Sequence, residues 1–483
     1  MQFEGFLVFV ATFVVSTATP LDDYVQRDDG VFSYSEVREP FWGDTSTLYF
    51  VNMTSQRWLT DKDCSRSVWW HYVVVTVPHE ISYPEHAYVY VTGGSNHDGI
   101  PTLKDSELLE ISALADDLKL VTAILYQIPN APIIFWSDPE KRERTEDAII
   151  AYTWAHFSDY PSQPDWLARM PMTKAVVAAM NMTADIAGKK RSESHISKFF
   201  IGGASKRGWT TWTTAAVDNR VVGITPIVMD LLNLVKNVHH QFRALGNWTF
   251  AFEDYYDTNF TCHLDDPNIK LLADLVDPFS YRDRLVMPKY EIDTGGDEFF
   301  MPDDSHYWFS EMKGDMYFRM IPNAEHSCAL HEFGILVGIK GFVLSVLEGF
   351  SRPKMTWTLN NTSEGGSIVL HSPTAPLFVQ MWHATTIDGN RRRDFRLLND
   401  PSHNPKYPVP HPVLWFESSV TRQGSDYIAE RQNPKSGWTA FFIEAVYPGP
   451  LGSELLFTTE VNIIPNTFPY PDCHGDVCCG GLV

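Results

Sequence analysis

A serine in the stretch FFIGGASKRGW, residues 199–209, has the surroundings that nucleophilic catalysis requires. An apolar run precedes Ser205, and Gly203 and Gly208 flank the serine at positions −2 and +3. Small residues at such positions allow a sharp turn from a strand into a helix, which holds a serine exposed at the edge of a sheet. The usual motif is incomplete because Arg207 replaces glycine at +2. Serine is also a good N-cap residue, so this stretch alone is compatible with a nucleophile or a helix cap.

An acid and a histidine follow this serine in the order that its chemistry requires. A serine hydroxyl needs a histidine to accept its proton and a carboxylate to orient that histidine. The stretch KYEIDTGGDEFF leaves one predicted strand and reaches Asp297, and MYFRMIPNAEHS leaves the next strand and reaches His326. The order Ser, Asp, His is typical of α/β-hydrolases. We predict that Ser205 attacks, His326 acts as general base and then acid, and Asp297 orients the imidazole. His331 is less suitable because it lies inside a predicted helix.

Other acids compete with Asp297 for the role of the orienting carboxylate. Asp303 and Asp304 follow it closely, and this acidic cluster is also suited to capping a helix or binding a cation. Asp293 lies within the predicted strand, and Asp230 follows an earlier strand, a position that some hydrolases use. Asp297 is favoured because it comes directly after the strand and two glycines.

Acyl transfer also requires backbone donors for the oxyanion that develops on the substrate. One predicted donor is the backbone N–H of Lys206, which follows the nucleophile, and the second comes from Gly94 or Ser95 after an earlier strand. The same glycine-containing segment is compatible with an ordinary tight turn. Arg207 either adds positive charge beside the oxyanion or pairs with a buried carboxylate such as Asp230.

The elements that would position these residues alternate between strands and helices from about residue 68 to 350. This alternation indicates βαβ units, a mainly parallel sheet and an α/β fold class. Apolar runs predict strands at residues 68–77, 87–92, 120–128, 199–201, 222–229, 289–292 and 316–320. Helical patterns occupy residues 104–118, 143–157, 173–188, 205–217 and 331–347.

An aromatic and acidic insertion without a strand signal occupies residues 230–284. Ligands of open α/β sheets bind at the carboxyl ends of the strands, so an insertion at this point is expected to form a cap over that edge. The insertion would then determine substrate choice, within a hydrolase-like domain of residues 20–350.

The pattern changes after residue 350 to short alternating runs separated by Gly, Pro and Asn. The runs are TWTL, SIVLHS, LFVQMWHATT, DFRLL, VLWFESSV, WTAFFIEAVYP and LLFTTEVNII. About seven short strands with turn signals predict an all-β, immunoglobulin-like sandwich over residues 354–470. A cysteine-rich tail, residues 471–483, follows it.

Length and charge limit the classes of partner. A chain of 483 residues exceeds the usual size of a single core, which fits two domains. With 38 basic and 60 acidic residues the net charge is −22, which disfavours nucleic acid and anionic membranes as partners.

The first 19 residues have the form of a secretory signal. An apolar run from Phe6 to Val15 precedes small residues and predicts cleavage near Ala18 or Thr19, although Glu4 replaces the usual basic residue. A buried N-terminal strand and an uncleaved anchor are the alternatives, but the run is too short to span a bilayer comfortably. We expect a secreted, extracellular protein with no membrane span.

Glycosylation motifs and cysteines agree with secretion. N-x-S/T sequons occur at Asn52, Asn181, Asn247, Asn259, Asn360 and Asn361. Cysteines occur at Cys64, Cys262, Cys328, Cys473, Cys478 and Cys479. An even number of cysteines in an oxidising compartment favours disulfides. We predict a bond from Cys262 in the insertion to Cys328 beside His326. The tail also resembles a metal site, but disulfides are favoured there, and we expect no metal and no cofactor.

Several of these motifs together resemble one known family. GGASKRGWTTW, GGDEFF with PDD, PNAEHS, and MWHATT followed by RRDFR are similar to the PhoPQ-activated pathogenicity-related proteins and their eukaryotic relatives, the autocrine proliferation repressor proteins. The resemblance covers residues 30–470. It implies an α/β-hydrolase domain, a C-terminal β-rich domain and export, with Ser205, Asp297 and His326 at the triad positions.

The resemblance also implies two functions. The first is a secreted serine hydrolase that acts on a peptide or a small ester or amide, with dipeptidyl-peptidase-like activity implied for some members. Such a peptidase needs carboxylates for the free amine of its substrate, and Glu253 and Asp254 are the candidates. The alternative is an extracellular signal that restrains proliferation by binding a cell-surface receptor on a hydrolase scaffold.

Overall fold

The computed structural model describes residues 18–400 and 408–483. Of the predicted secretory signal, residues 1–17 lie outside the described residues. The α-helices are α1 (Pro20–Gln26), α2 (Ser106–Leu118), α3 (Glu146–Asp159), α4 (Arg169–Lys190), α5 (Lys206–Val217), α6 (Leu234–Leu245), α7 (Glu253–Asp257), α8 (Pro267–Val276) and α9 (Glu332–Leu347). Short 3₁₀ turns lie at Pro164–Trp166, Phe250–Phe252, Phe260–His263, Pro278–Tyr281, Asp304–Tyr307, Phe309–Glu311, Pro450–Gly452 and Gly475–Cys479.

The strands fall into a large N-terminal sheet and a C-terminal group. The first ten are β1 (Ser33–Glu36), β2 (Phe41–Trp42), β3 (Ser46–Arg57), β4 (Val68–Pro78), β5 (His86–Val91), β6 (Val121–Leu125), β7 (Lys198–Ala204), β8 (Val221–Ile227), β9 (Lys289–Thr294) and β10 (Met316–Ile321). The others are β11 (Thr356–Asn361), β12 (Gly365–His371), β13 (Phe378–Thr385), β14 (Leu398–Asn399), β15 (Val409–Pro410), β16 (Phe416–Ser418), β17 (Thr421–Gln423), β18 (Asp426–Gln432), β19 (Thr439–Pro448), β20 (Glu454–Thr458) and β21 (Asn462–Ile464).

The N-terminal sheet is mainly parallel, which confirms the predicted α/β fold. Its order is β1-β3-β4-β6-β5-β7-β8-β9-β10, with β2 paired to β3. β4 is antiparallel to β3 and to β6, and the strands from β6 through β10 run parallel to one another. The carboxyl ends of β5, β7, β8, β9 and β10 therefore lie along one edge of the sheet.

The sheet has a hydrophobic core on each face because successive side chains of a strand point in opposite directions. On β7, Phe199 and Ile201 pack into one core, with α4 and α5, while Phe200 packs into the other, with α2 and α9. The longest strand, β3, was not predicted from the sequence. Its polar residues conceal the pattern, since a residue such as Gln56 is fully buried there and hydrogen-bonds to distant groups.

The C-terminal region consists of antiparallel strands, as the sequence predicts. One sheet has the order β11-β12-β18-β17, and the other has the order β16-β13-β19-β20 with β21 paired to β19. Side chains of both sheets share one core with α9, which includes Ile368 of β12, Ile443 of β19 and Ile339 of α9. At Gly341 of α9 an added Cβ would lie 1.9 Å from the carbonyl oxygen of Glu454. The helix therefore contacts the backbone of β20 directly.

One predicted strand of this region is mostly a different structure. In the run DFRLL, β14 begins only at Leu398, and the preceding segment buries Asp394 and Arg396 beside the apolar Phe395. Arg396 and Asp394 form an ion pair, and Arg396 also donates to the carbonyl oxygen of Val483. This ion pair allows charged residues to be buried in the segment. The hydropathy pattern wrongly predicted a strand there.

The insertion between β8 and β9 is helical, and it contains α6, α7 and α8. No strand lies between Ile227 and Lys289, all of which the structure describes. The predicted lack of strands in residues 230–284 is therefore confirmed, whereas the domain boundaries themselves stay predictions. Within residues 18–400 and 408–483, no helix is both long and apolar enough to cross a lipid bilayer.

The disulfide prediction is wrong. Cys262 bonds to Cys479, and Cys473 bonds to Cys478. Cys328 is buried in the core beside α2 and α9, whereas the neighbours of Cys262 pack into the core on the other face of the sheet. Among the described residues Cys64 and Cys328 are free thiols.

The predicted glycosylation sites differ in exposure. Asn181, Asn259, Asn360 and Asn361 are exposed, and Asn52 and Asn247 are half-buried. The side-chain oxygen of Asn247 accepts a hydrogen bond from Gly481 at 2.9 Å. Modification of these six residues stays a prediction.

Thiol labelling tests this connectivity. We expect no alkylation of the native, non-reduced protein, because Cys64 and Cys328 are both buried. Unfolding without reductant should expose these two thiols, and peptide mapping should then recover the pairs Cys262–Cys479 and Cys473–Cys478. A recovered peptide that links Cys262 to Cys328 would contradict the structure.

Candidate active site

Ser205 lies at a sharp turn between β7 and α5. Its backbone has φ 56° and ψ −126°, a conformation that favours glycine, and its side chain makes no cap hydrogen bond to the helix. Close packing imposes this turn: an added Cβ would lie 2.9 Å from the Val91 carbonyl oxygen at Gly203 and 2.8 Å from the Met229 Cβ at Gly208. The alternative of a simple helix cap is therefore wrong.

Three predicted site residues form one hydrogen-bonded chain. His326 follows β10, and its Nε2 lies 2.8 Å from the Oγ of Ser205. The Nδ1 of His326 lies 2.8 Å and 3.0 Å from the two carboxylate oxygens of Asp297, which follows β9. The backbone N–H groups of Phe299 and Phe300 donate to Asp297 and fix its carboxylate. The structure thus brings Ser205, His326 and Asp297 together.

The surroundings of His326 favour its charged form. Burial alone would lower the pKa of His326, but the carboxylates of Asp297 and Glu298 more than compensate, and the pKa lies above its ordinary value. The rings of Phe299 and Phe300 flank the imidazole, with centroids 4.4 Å and 5.5 Å away. Glu298 also accepts the backbone N–H of His326 at 3.1 Å, and burial raises its own pKa to about 7.

The alternative site residues lie elsewhere. Asp303 and Asp304 both contact His240, and Asp303 also pairs with Arg393. The Nε2 of His331 lies 3.2 Å from the carbonyl oxygen of Asn323. None of these contacts reaches Ser205.

Three further acids are buried beneath the same edge of the sheet. Burial, followed by repulsion from neighbouring carboxylates, raises the pKa values of Asp230 and Asp293 well above their usual range, and burial likewise raises that of Glu291. Each has one carboxyl oxygen without a hydrogen-bond partner among the described residues. The other oxygens accept from Trp308, Trp212 and the backbone of Met229. Burial therefore favours the protonated form of each of these acids.

Positive charges next to the serine are paired with acids at the start of α3. The Nζ of Lys206 lies 2.9 Å from Asp147 and 3.1 Å from Glu146. Arg207 pairs with Glu146 at 2.6 Å, not with Asp230, and also donates to the carbonyl oxygen of Ile128. Glu146 and Asp147 were not identified from the sequence, although both lie within the predicted helix of residues 143–157.

A buried arginine also stabilises the turn that carries Ser205. Arg169, at the start of α4, donates to the carbonyl oxygen of Lys206 at 2.8 Å, and its guanidinium lies 4.1 Å from the ring centroid of Trp209. Burial lowers the pKa of Arg169 to about 10. Arg169 was not identified from the sequence either, because no local pattern links residue 169 to the turn.

The predicted oxyanion donors differ in availability. The backbone N–H of Ser95 donates to the carboxylate of Asp98 at 2.6 Å, so it is already occupied. Gly94 has φ 128°, a conformation that needs glycine. Lys206 is the first residue of α5, where backbone N–H groups have no partner within the helix.

The C-terminal region supports the loops that carry the acid and the histidine. The side chain of Asn323, three residues before His326, donates to the carbonyl oxygen of Trp415 and accepts its backbone N–H at 2.9 Å and 2.7 Å. The indole N–H of Trp415 donates to the carbonyl oxygen of Gly295, two residues before Asp297.

An apolar pocket of about 30 Å³ opens beside Ser205. The insertion contributes much of its wall, through Leu234, Val238, Phe252, Tyr255 and Phe260. Arg169, Asp147 and Lys206 also line the pocket.

A second cavity of about 200 Å³ lies between α2, α9 and the loop of His326. Glu107, Glu110 and Glu332 line this cavity together with His326 and Cys328. His326 therefore borders this second, acidic cavity, whereas Ser205 lines the apolar pocket.

The predicted amine-binding acids lie in α7 and do not line the pocket beside Ser205. Glu253 is exposed. Asp254 is half-buried, and burial together with repulsion from Asp147 raises its pKa to about 6. The neighbouring Tyr255 does line the pocket, and its hydroxyl donates to Asp147 at 3.0 Å.

The sheet order, with the Ser205 turn after β7, Asp297 after β9 and His326 after β10, is that of an α/β-hydrolase fold. A family model described as PhoPQ-activated pathogenicity-related protein matches residues 21–396, and the chain belongs to this family. The chain is 38% identical to the autocrine proliferation repressor protein A of Dictyostelium discoideum, over 96% of this chain and 94% of that protein.

Solved structures of lower similarity include two acetyl xylan esterases. The enzyme from Paenibacillus sp. R4 has a TM-score of 0.44 and 12% identity, and the match covers 63% of this chain and 86% of that chain. The enzyme from Thermoanaerobacterium sp. JW/SL YS485 has a TM-score of 0.43 and 14% identity, with coverage of 68% and 94%.

The buried acids give a prediction about stability. Because the pKa of Asp293 is higher in the folded than in the unfolded state, folding keeps a proton that the unfolded chain releases above about pH 4. Its contribution to stability therefore falls as pH rises, by about 1.4 kcal/mol per pH unit until the folded pKa is reached. Asp293→Asn should raise the free energy of unfolding relative to wild type more at pH 8 than at pH 5, measured by urea unfolding.

The matched control is Asp283→Asn, which removes an exposed carboxylate from a nearby loop. Its effect on the free energy of unfolding should be small and should vary little with pH. An equal effect of Asp293→Asn at pH 5 and pH 8 would contradict a raised pKa of Asp293 in the folded protein.

Proposed function

We propose that the protein is a secreted serine hydrolase that acts on a peptide or a small ester or amide. The observation that carries this proposal is the continuous chain of hydrogen bonds from Ser205 through His326 to Asp297. Residues 230–284 would form the cap of a hydrolase domain of residues 20–350, followed by a β-sandwich domain of residues 354–470. Two disulfides support the assignment to an oxidising compartment.

In the proposed reaction His326 Nε2 accepts the proton of the Ser205 hydroxyl while its oxygen attacks the substrate carbonyl carbon. The imidazolium then donates this proton to the leaving alcohol or amine, which leaves an acyl group on Ser205. Water attacks the acyl group by the same route and regenerates the serine. Asp297 keeps Nδ1 of His326 protonated and oriented throughout.

The backbone N–H of Lys206 would stabilise the oxyanion, with a second donor from Gly94. Ser95 would become a donor only if its bond to Asp98 broke. The cationic side chain of Lys206 would add little there, because its charge is balanced by Asp147 and Glu146.

The apolar pocket beside Ser205 supports a small acyl group as the part of the substrate that enters first. A volume of about 30 Å³ holds roughly one water-sized group. A larger group would require the aromatic side chains of the insertion to move. Asp254 would bind a free amine, as in a dipeptidyl-peptidase-like reaction, only beyond this pocket.

A second candidate function is extracellular signalling through a cell-surface receptor. The observation that favours it is the 38% identity to a protein named autocrine proliferation repressor protein A, over nearly the whole of both chains. The two functions make different demands on Ser205, since binding to a receptor needs no nucleophile.

Covalent labelling tests the first candidate. A fluorophosphonate probe should label the purified protein, and Ser205→Ala should abolish labelling because the nucleophile is removed. Asp297→Asn should lower turnover of an acetyl ester by roughly 10⁴-fold, through loss of the correct imidazole tautomer. Ser436→Ala, which changes an exposed serine of the C-terminal region, serves as the control. Labelling that persists in Ser205→Ala would exclude this serine.

The raised pKa of His326 predicts the pH dependence of activity. His326 must be neutral to accept a proton, so kcat/KM should fall with decreasing pH at a midpoint above about 6.5. Glu298→Gln removes a carboxyl group that favours the imidazolium when it is ionised, at pH values near and above its own pKa of about 7, and should move this midpoint to lower pH, by roughly one unit or less. The control is Glu325→Gln, which makes the same charge change at the residue before His326. The Glu325 carboxylate accepts the backbone N–H of Ser327 and not that of His326. A larger shift in Glu325→Gln would argue against the role assigned to Glu298.

A cell proliferation assay separates the two functions. Purified wild type and Ser205→Ala protein are added to responsive cells at equal concentrations. Loss of the response in Ser205→Ala would assign it to hydrolysis, and an unchanged response would assign it to receptor binding.

A further inference from the structure

A histidine in the insertion is held between two acids. The Nδ1 of His239, in α6, lies 2.7 Å from Asp472 of the tail, and its Nε2 lies 3.1 Å from Asp265. Only 11% of the His239 side chain is exposed. A neutral imidazole has one N–H, so it can donate to only one of these carboxylates. At the second contact a ring nitrogen therefore faces a carboxylate oxygen, and both atoms are of the kind that bind a metal ion.

A second histidine completes the cluster. The Nδ1 of His474 lies 3.5 Å from the other carboxylate oxygen of Asp265, and the rings of His474 and His239 are 5.7 Å apart. One nitrogen or oxygen atom from each of these three residues lies within 4.8 Å of the others. Ligand atoms 2.0–2.1 Å from a tetrahedral zinc ion are about 3.3 Å apart, which is close to the two measured contacts.

We propose that His239, Asp265 and His474 bind a divalent transition-metal ion, for which Zn²⁺ is the natural probe. Two imidazoles and one carboxylate are ligands that zinc accepts, and solvent would occupy the fourth position. Asp472 would hold the Nδ1 proton of His239 and leave Nε2 free for the metal, as carboxylates commonly do behind zinc-bound histidines. The two carboxylates balance the charge of the ion.

The fold brings these ligands together from three separate segments. His239 lies in α6, Asp265 precedes α8, and His474 lies inside the small ring closed by the Cys473–Cys478 disulfide. The backbone N–H of Gly475 donates to Asp265 at 3.0 Å and holds the tail in place. A bound metal would therefore fasten the tail to the insertion, near the Cys262–Cys479 disulfide.

The proposed metal site is not the cysteine-based site that the sequence of the tail suggests. Cys473 and Cys478 also lie near His239, but their sulfur atoms are bonded to each other and are not thiolate ligands. A third group, Asp388, Asp394 and His411, is less suitable because Asp394 pairs with Arg396. No metal was predicted from the sequence because disulfides were favoured in the tail. The proximity of His239 and Asp265 to the tail was not predicted.

Titration of the full-length, metal-free protein with zinc chloride tests the proposal. Isothermal titration calorimetry should detect about one equivalent of bound Zn²⁺, and zinc should raise the thermal unfolding temperature. His474→Ala and Asp265→Asn should each weaken binding at least about tenfold, and Asp472→Asn should weaken it by about 10- to 100-fold. Cobalt should give the visible absorption of a low-symmetry site in wild type and not in His474→Ala.

The matched control is His371→Ala. His371 forms an exposed pair with Asp426 at 2.7 Å in the C-terminal region, without a third ligand, so its removal should leave zinc affinity unchanged. His474 is three-quarters exposed, and its replacement is therefore compatible with folding, which circular dichroism would verify. Absence of zinc binding in wild type, or equal affinity in wild type and His474→Ala, would overturn the proposal. The zinc site does not depend on the proposed hydrolase activity.

Discussion

The conformation of Ser205 depends on close contact between β7 and α5, and the geometry around it follows from that contact. Gly203 and Gly208 have no room for a side chain, and the backbone N–H of Ser205 donates to the carbonyl oxygen of Ile227 on the next strand. Arg169 binds the carbonyl oxygen of Lys206 from the opposite side. These contacts hold a positive φ at a non-glycine residue, which would otherwise relax. The hydroxyl consequently points away from its own helix and toward His326.

Burial separates the acids near this turn into two groups. Asp297 accepts two backbone N–H groups and faces an imidazole, so its carboxylate has the partners that a buried charge needs. Asp230, Glu291 and Asp293 each keep one carboxyl oxygen without a hydrogen-bond partner among the described residues, and burial raises their pKa values. Among these four acids, only Asp297 contacts the imidazole of His326. The same physical rule explains why Lys206 and Arg207 have acids beside them.

Much of the architecture was predictable from the sequence, for identifiable reasons. β7 and β10 are mostly buried and appear as short runs of mainly apolar residues, whereas β9, KYEIDT, is buried but carries charged residues. The carboxyl ends of parallel strands must meet at one edge. The order Ser, Asp, His after these strands, which is typical of α/β-hydrolases, and the family resemblance predicted that Ser205, Asp297 and His326 lie close together. β3 was missed because buried polar residues such as Gln56 have their partners far away in the sequence.

The failures concern contacts that no local pattern encodes. Pairing Cys262 with Cys328 required knowing which face of the sheet each residue occupies, and that depends on how the tail returns to the insertion. The backbone N–H of Ser95 is occupied because of a single hydrogen bond to the side chain of Asp98. Asp297 and His326 each follow a loop that hydrogen-bonds to Trp415, far along the chain. Because α9 and both C-terminal sheets share one core, the part of the chain after residue 350 holds these loops in position. A chain truncated to the α/β half would expose that core. It would also lose the alignment of the His326 imidazole with the Ser205 hydroxyl.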